Sequence, residues 1–102
     1  DGRVGGVRLK DGTEIPADLV VMAVGIRPNG TLAKASGLEV ERGIIVDDHM
    51  VTSDPAILAV GECVQHRGAC YGLVAPIWEM CRALAAGLAA SPRGYEGSVT
   101  ST

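Results

Sequence analysis

Residues Thr52–Glu62 read TSDPAILAVGE: a turn from Thr52 to Pro55, a short apolar run from Ile57 to Val60, then a glycine and a carboxylate where a strand should end. A carboxylate at the C-terminal edge of a strand suits a nucleotide cofactor whose sugar or ribitol hydroxyls need an acceptor. Upstream, Leu19–Asn29 reads LVVMAVGIRPN, a second apolar run breaking into a glycine turn at Gly25. Two such exits in one short chain predict a cofactor crevice in an α/β fold.

Working outward, Val4, Val7 and Leu9 precede Asp11-Gly12, and Thr13 to Ile15 follow, which predicts a hairpin around a DG turn ended by Pro16. Leu19–Val24 is apolar at every position, as expected of a central strand covered on both faces. Pro28 fixes a turn, and Asn29 or Thr31 can cap a short helix to about Ser36, with Gly37 as its left-handed stop. Ile44–Val46 reads as a brief strand whose exposed exit is Asp47-Asp48-His49, and Ile57–Val60 as another strand. Cys63–Gly72 is mixed in character and predicts a loop with a small hairpin. Pro76 opens the clearest helix, predicted to run to Ala90. Ile77, Met80, Cys81, Leu84 and Leu88 form its apolar stripe, Glu79 lies in its positive first turn, and Ser91-Pro92 and Gly94 end it.

The composition narrows the function classes. Apolar residues make up 47% of 102, enough for a core, and the net charge of -3 with scattered Lys10, Arg27, Lys34, Arg42, Arg67, Arg82 and Arg93 gives no basic footprint for nucleic acid. The longest apolar run, Leu19–Val24, falls far short of the ~20 residues that span a bilayer. Cys63, Cys70 and Cys81 are odd in number and lack the close pairs of a zinc ribbon or redox CxxC motif, which fits a reducing compartment, with the cytoplasm as the expected location. The chain has no initiator methionine, enters at once into strand-like sequence and ends on the β-prone run Val99–Thr102, so a piece of a longer polypeptide is expected.

Each candidate site has a plain structural reading beside the functional one. Gly25 serves either as a packing glycine or as a point of close backbone approach to a cofactor, and Glu62 is either a solvated loop carboxylate or a polyol acceptor. The helix opened by Pro76 is most simply a core helix with Met80 and Cys81 as packing residues. Its unpaired N–H groups nevertheless present about half a positive charge, able to stabilise the anionic N1–C2=O edge of a reduced flavin. Cys63, His66 and Cys70 supply three zinc ligands at most and lack a fourth, Asp47-Asp48-His49 reads as a solvated turn, and no metal site is predicted. No nucleophile with an organised base is recognisable, neither histidine has a defined partner, and no catalytic residue is assigned.

Together, ADLVVMAVGIRPN and TSDPAILAVGE resemble the second glycine motif and the FAD motif of the two-dinucleotide-binding-domain flavoprotein reductases, a family whose FAD motif normally ends in glycine-aspartate where this chain has Glu62. The combination of AVGIRPN, RGIIVDDHMVTSDPAILAVGEC, HRG and YGLVAP is closer still to the large subunits of assimilatory NAD(P)H-dependent nitrite reductases and covers nearly the whole chain. The resemblance implies an incomplete FAD/NAD(P)-binding Rossmann-like α/β domain with small β elements and a C-terminal helix. Residues 1–27 would end an NAD(P)H-binding domain and residues 28–102 would form the C-terminal part of an FAD-binding domain.

By the same resemblance, Gly61 and Glu62 approach the ribitol and pyrophosphate side of FAD, and Leu73, Val74, Ala75 and Pro76 lie beside the isoalloxazine ring. Gly25, Arg27 and Pro28 would line the crossover near the cofactor. The parent is expected to pass electrons from NAD(P)H through FAD toward siroheme, reducing nitrite to ammonia, with the siroheme and iron-sulfur ligands downstream of this chain. The alternatives are a reductase serving rubredoxin or a ferredoxin, and a cofactor-free structural or subunit-contact module. Neither GxGxxG phosphate fingerprint is present, so the chain alone is expected to be inactive and to hold dinucleotides weakly. Expected partners are FAD, NAD(P)H, and a small subunit or a second copy pairing with exposed sheet edges.

Overall fold

The computed structural model describes residues 2–91 and 93–99. Its elements are β1 (Gly6–Arg8), β2 (Glu14–Pro16), α1 (Thr31–Ala35), β3 (Ile44–Val46), β4 (Val64–His66) and α2 (Val74–Leu88). They build an open α/β arrangement: an antiparallel β1–β2 hairpin, and a parallel β3–β4 pair near which α2 supplies part of the core.

Local chemistry explains the hairpin and α1. β1 and β2 pair in the register Val7↔Ile15 around a loop in which Gly12 takes φ +89° and Asp11 Oδ1 accepts the Thr13 N–H at 2.9 Å. Arg8 and Glu14 face each other across the two strands at 2.6 Å. In α1, Asn29 Oδ1 accepts the Thr31 N–H at 3.2 Å at the start, and Gly37 at φ +84° closes the end. There the Leu38 N–H reaches Ala33 O and the Gly37 N–H reaches Lys34 O, the paired bonds of a Schellman stop.

The β3–β4 pair holds the core. Val46, Met50, Val64, Met80, Ala83 and Tyr95 are buried together, with Ala59, Val60, Cys63, Tyr71 and Leu84 packed around them. Gly43 lets β3 approach β4: a Cβ there would stand 2.9 Å from Cys63 O and 2.9 Å from the Val64 carbonyl carbon. Buried Gln65 ties the preceding turn to β4, accepting the Arg42 and Gly43 N–H groups at 3.0 and 3.3 Å and donating to Glu41 Oε2 at 2.7 Å.

Several sequence expectations need correction. Leu19–Val24 is not a central strand: it has no strand partner among the described residues, and Leu19, Val21, Met22 and Val24 are strongly exposed. A continuous apolar run becomes a strand only where neighbours complete its hydrogen bonds, and among the described residues none do. Ile57–Val60 is reduced to one bridge, Leu58 to Val51, because the TSDP turn folds that segment back on residues 50–52. Conversely, Val64–His66, expected as loop, is the parallel partner of β3. The small hairpin expected there exists, with His66 and Ala69 exchanging 2.9 Å bonds across Arg67 and Gly68, both at positive φ.

Helix α2 begins at Val74 rather than Pro76 and ends at Leu88 rather than Ala90. Pro76 still falls within the first turn, where a missing N–H costs no helical bond. Glu79 therefore lies beyond the first turn, where it pairs with Arg82 instead of meeting the helix's positive end. The buried face is Pro76, Met80 and Ala83, while Leu88 is exposed, so the core-facing side is rotated from the expected stripe. Ala90 takes φ +55° and the Ser91 N–H reaches Ala86 O, making another Schellman stop. Pro92 of the expected stop and Thr100–Thr102 of the expected β-prone run lie outside the described residues. The radius of gyration is 18.7 Å, against about 13 Å for a compact domain of this length, so the chain does not close into a globule.

Candidate functional site

Gly25 stands at φ +79° with open space where a Cβ would project, and Ile26 turns onto Gly72, where a Cβ would lie 2.9 Å from Ile26 Cγ1. Arg27 and Pro28 line a cleft of about 490 Å³ with Ile26, Arg42 and Cys70. Ile26, Arg27 and Pro28 are thus brought beside the stretch that leads into Leu73–Pro76, although 40 or more positions separate them in sequence. Arg27 and Arg42 are both exposed on that wall, and Arg42 is tied by a guanidinium hydrogen bond to Gly68 O.

The Leu73–Pro76 stretch forms the start of α2. Leu73 is its extended N-cap with no side-chain cap, and the first turn has no acidic residue, so the positive end is neither capped nor neutralised by its own side chains. Leu73 and Val74 are exposed apolar groups at 54% and 67%, Ala75 is exposed, and Pro76 is buried. An apolar ledge beside N–H donors matches the needs of a planar heteroaromatic ring with an anionic edge.

Gly61 takes φ +114°, again with open space at the Cβ position. It does not end a strand as expected but begins the turn into β4, with the Val64 N–H reaching Gly61 O at 3.3 Å. Glu62 is exposed and makes no hydrogen bond or ion pair among the described residues, so its carboxylate is available to a hydroxyl. Its neighbours Val60 and Cys63 pack against the core that holds Met80 and Ala83 of α2, so turn and helix share one support. No hydrogen bond joins Glu62 to either of the other two groups among the described residues.

The sequence reading missed a cluster built on β4. His66 is 1% exposed, and its Nε2 lies 2.8 Å from Asp48 Oδ1. Arg67 grips the same carboxylate with Nε at 2.9 Å and Nη2 at 2.6 Å. These hydrogen bonds, from Arg67 first and His66 second, pull the Asp48 carboxyl down to about 2, and Asp48 in turn raises the Arg67 guanidinium. An ionised carboxylate only accepts, so His66 Nε2 bears the proton, and Nδ1 is buried without a hydrogen-bond partner. The His66 ring meets Tyr95 at 4.8 Å between centroids, and burial raises the Tyr95 phenol. Asp48 is thus not a solvated turn residue, and His66 has a partner, both contrary to the sequence expectation. They are 18 positions apart, and only the β3–β4 pairing joins them. Asp47 does serve its turn, accepting the His49 and Val51 N–H groups. Among the described residues no group of three His, Cys, Asp or Glu side chains could hold a metal ion, and no helix is long and apolar enough to cross a membrane.

Residues 1–81 match the family described as pyridine nucleotide-disulphide oxidoreductase. The chain is 61% identical, over its whole length, to 13% of a nitrite reductase (NAD(P)H) of Bacillus subtilis strain 168. Over 93% of its length it is 51% identical to 12% of an assimilatory nitrate reductase electron transfer subunit of the same organism. A ferredoxin reductase from Rhodopseudomonas palustris superimposes with a TM-score of 0.84 at 40% identity, over 95% of this chain and 26% of its own. The chain thus spans about an eighth of those curated relatives. It folds as a partial Rossmann-like α/β unit and belongs to the pyridine nucleotide-disulphide oxidoreductase family.

Proposed function

We propose that this chain is part of the FAD site of an NAD(P)H-dependent nitrite reductase. Residues 1–27 end the NAD(P)H-binding domain, and residues 28–102 belong to the FAD-binding domain. The observation that carries this reading is the 61% identity to a nitrite reductase across the entire chain.

FAD, when bound, accepts a hydride from NAD(P)H and passes electrons onward one or two at a time. The residues of this chain bind and orient it. Glu62 accepts hydroxyl hydrogen bonds from the ribitol side, Gly61 admits the cofactor where a side chain would block it, and Leu73, Val74, Ala75 and Pro76 offer the ring an apolar ledge beside the open N-terminus of α2. That positive end favours the reduced, anionic ring and so tunes its potential. Gly25, Arg27 and Pro28 wall the crossover side. Siroheme and an iron-sulfur cluster belong elsewhere in the parent, which works in the cytoplasm with a small subunit or a second copy as partner.

The test is the optical spectrum of the full-length protein before and after NAD(P)H. Flavin and siroheme bands that bleach with reductant and recover with nitrite are expected. Absence of any flavin band would sink the reading. A second reading, delivery of electrons to a small iron-sulfur protein, is favoured by the 48% identity to putidaredoxin reductase over 68% of this chain and by the ferredoxin reductase superposition. Flavin bands without siroheme would select it.

A further inference from the structure

We infer that Asp48 is a positioning residue for the cofactor loop, acting through His66 and the Tyr95–Tyr71 pair on the stretch that leads to Leu73–Pro76; this rests on the flavin reading above. Among the described residues, Asp48 makes the sole hydrogen bond of a buried imidazole, because His66 Nδ1 has no partner there. Removing that carboxylate leaves a buried ring with neither nitrogen paired, a costly state that the ring relieves by moving. It cannot move alone: Tyr95 packs on it at 4.8 Å and meets Tyr71 edge-on at 6.2 Å.

The hydrogen bonds run the same way. The Tyr95 N–H donates to Asp48 O at 2.7 Å, and the Tyr95 hydroxyl donates to Ser98 Oγ at 2.8 Å. The Ser98 N–H donates to the Tyr71 hydroxyl at 3.4 Å, while Arg67, held on Asp48, also reaches Glu96 O. The bond to Asp48 O is made by the main chain, so the carboxylate acts on the segment from Tyr95 to Ser98 through the His66 ring packed on Tyr95 and through Arg67 at Glu96 O, and that segment holds Tyr71 by ring and hydroxyl. Tyr71 adjoins Gly72, on which Ile26 rests, and Leu73 follows as the N-cap of α2. The Asp48 carboxylate therefore bears, through His66, Arg67 and the two tyrosines, on the ledge on which the flavin ring is proposed to lie.

The experiment uses the full-length protein as wild type, Asp48→Ala, Asp48→Asn, Tyr71→Phe and the Asp48→Ala/Tyr71→Phe double variant. Added FAD is titrated against the flavin-stripped forms, with the visible flavin spectrum and melting temperature recorded in parallel. Asp48→Ala is expected to weaken FAD binding by roughly tenfold, the size found for outer partners of ligand-holding groups, and to shift the flavin band. Asp48→Asn keeps an acceptor for His66 Nε2 and should recover most of both. The double variant should lose less than the two single losses combined, because both act on one connected network. Unchanged FAD binding and spectrum in Asp48→Ala, strictly additive losses, or an Asn variant equal to Ala would overturn the inference while leaving the flavin reading intact. A flavin-free wild type would overturn both. If Asp48→Ala does not fold, Tyr71→Phe decides: a shifted flavin band at unchanged melting temperature supports the inference, and an unshifted band overturns it.

Discussion

Two residues, Gly43 and Asp48, show how narrowly the strand pair is specified. A methyl group at Gly43 would press on the Cys63 and Val64 carbonyls, which are backbone and cannot swing aside. Gly43→Ala is expected to destabilise by about 1–3 kcal/mol, the usual cost of overpacking, as read from urea unfolding. Asp48 contributes a pH dependence whose sign follows from its shift. Its folded carboxyl lies near 2, below the ordinary 3.8, so the stability it gives is fully present above 3.8 and is lost as pH falls through about 2. Acid unfolding of wild type and Asp48→Ala should therefore converge toward pH 2 and differ most above pH 4; parallel curves across that range would contradict the assignment. Neither role is visible in the letters. Gly43 is one of 14 glycines, and Asp48 gains its meaning only from His66 and Arg67 across the sheet.

Elements made by adjacent residues were legible, and those made by distant ones were not. The Asp11-Gly12 hairpin and the Asn29-to-Gly37 helix formed where expected because their turns and stops are encoded within a few positions, and Ile44–Val46 because three β-branched residues stand between Gly43 and the Asp47 turn. Val64–His66 was missed because a parallel strand of three residues is defined by its partner, and Leu19–Val24 was overread because an apolar run finds no strand partner among the described residues. Gln65 is what makes the missed strand firm. Gln65→Leu should strand two N–H groups and cost about 1–3 kcal/mol, seen as faster amide exchange at Arg42 and Gly43. Unchanged exchange there would show that the clamp is idle. At the end of α2, Ala90 bears a left-handed conformation better suited to glycine. Ala90→Gly should raise stability by about 1 kcal/mol, and a lower melting temperature would refute this stop.

At the scale of the whole molecule, the described residues form a small core with a hairpin and an apolar segment left uncovered. Leu19, Val21, Met22 and Val24, together with Trp78 at 62% exposure, present more apolar surface than a chain in isolation leaves wet. The isolated 10.5 kDa chain should accordingly self-associate as its concentration rises, and a strictly monomeric profile in light scattering would contradict that expectation. The three groups of proposed cofactor residues were readable as motifs, but their mutual support was not. It took the fold to place Ile26 on Gly72 and to seat Val60 and Cys63 on the core shared with α2. The central claim is that the Gly61-Glu62 turn holds the cofactor, and it is tested most directly by FAD titration of the flavin-stripped full-length protein, wild type against Glu62→Ala. Loss of a hydroxyl acceptor bearing a charge predicts affinity roughly 10- to 100-fold weaker in the variant. Equal affinity in the two proteins would contradict it.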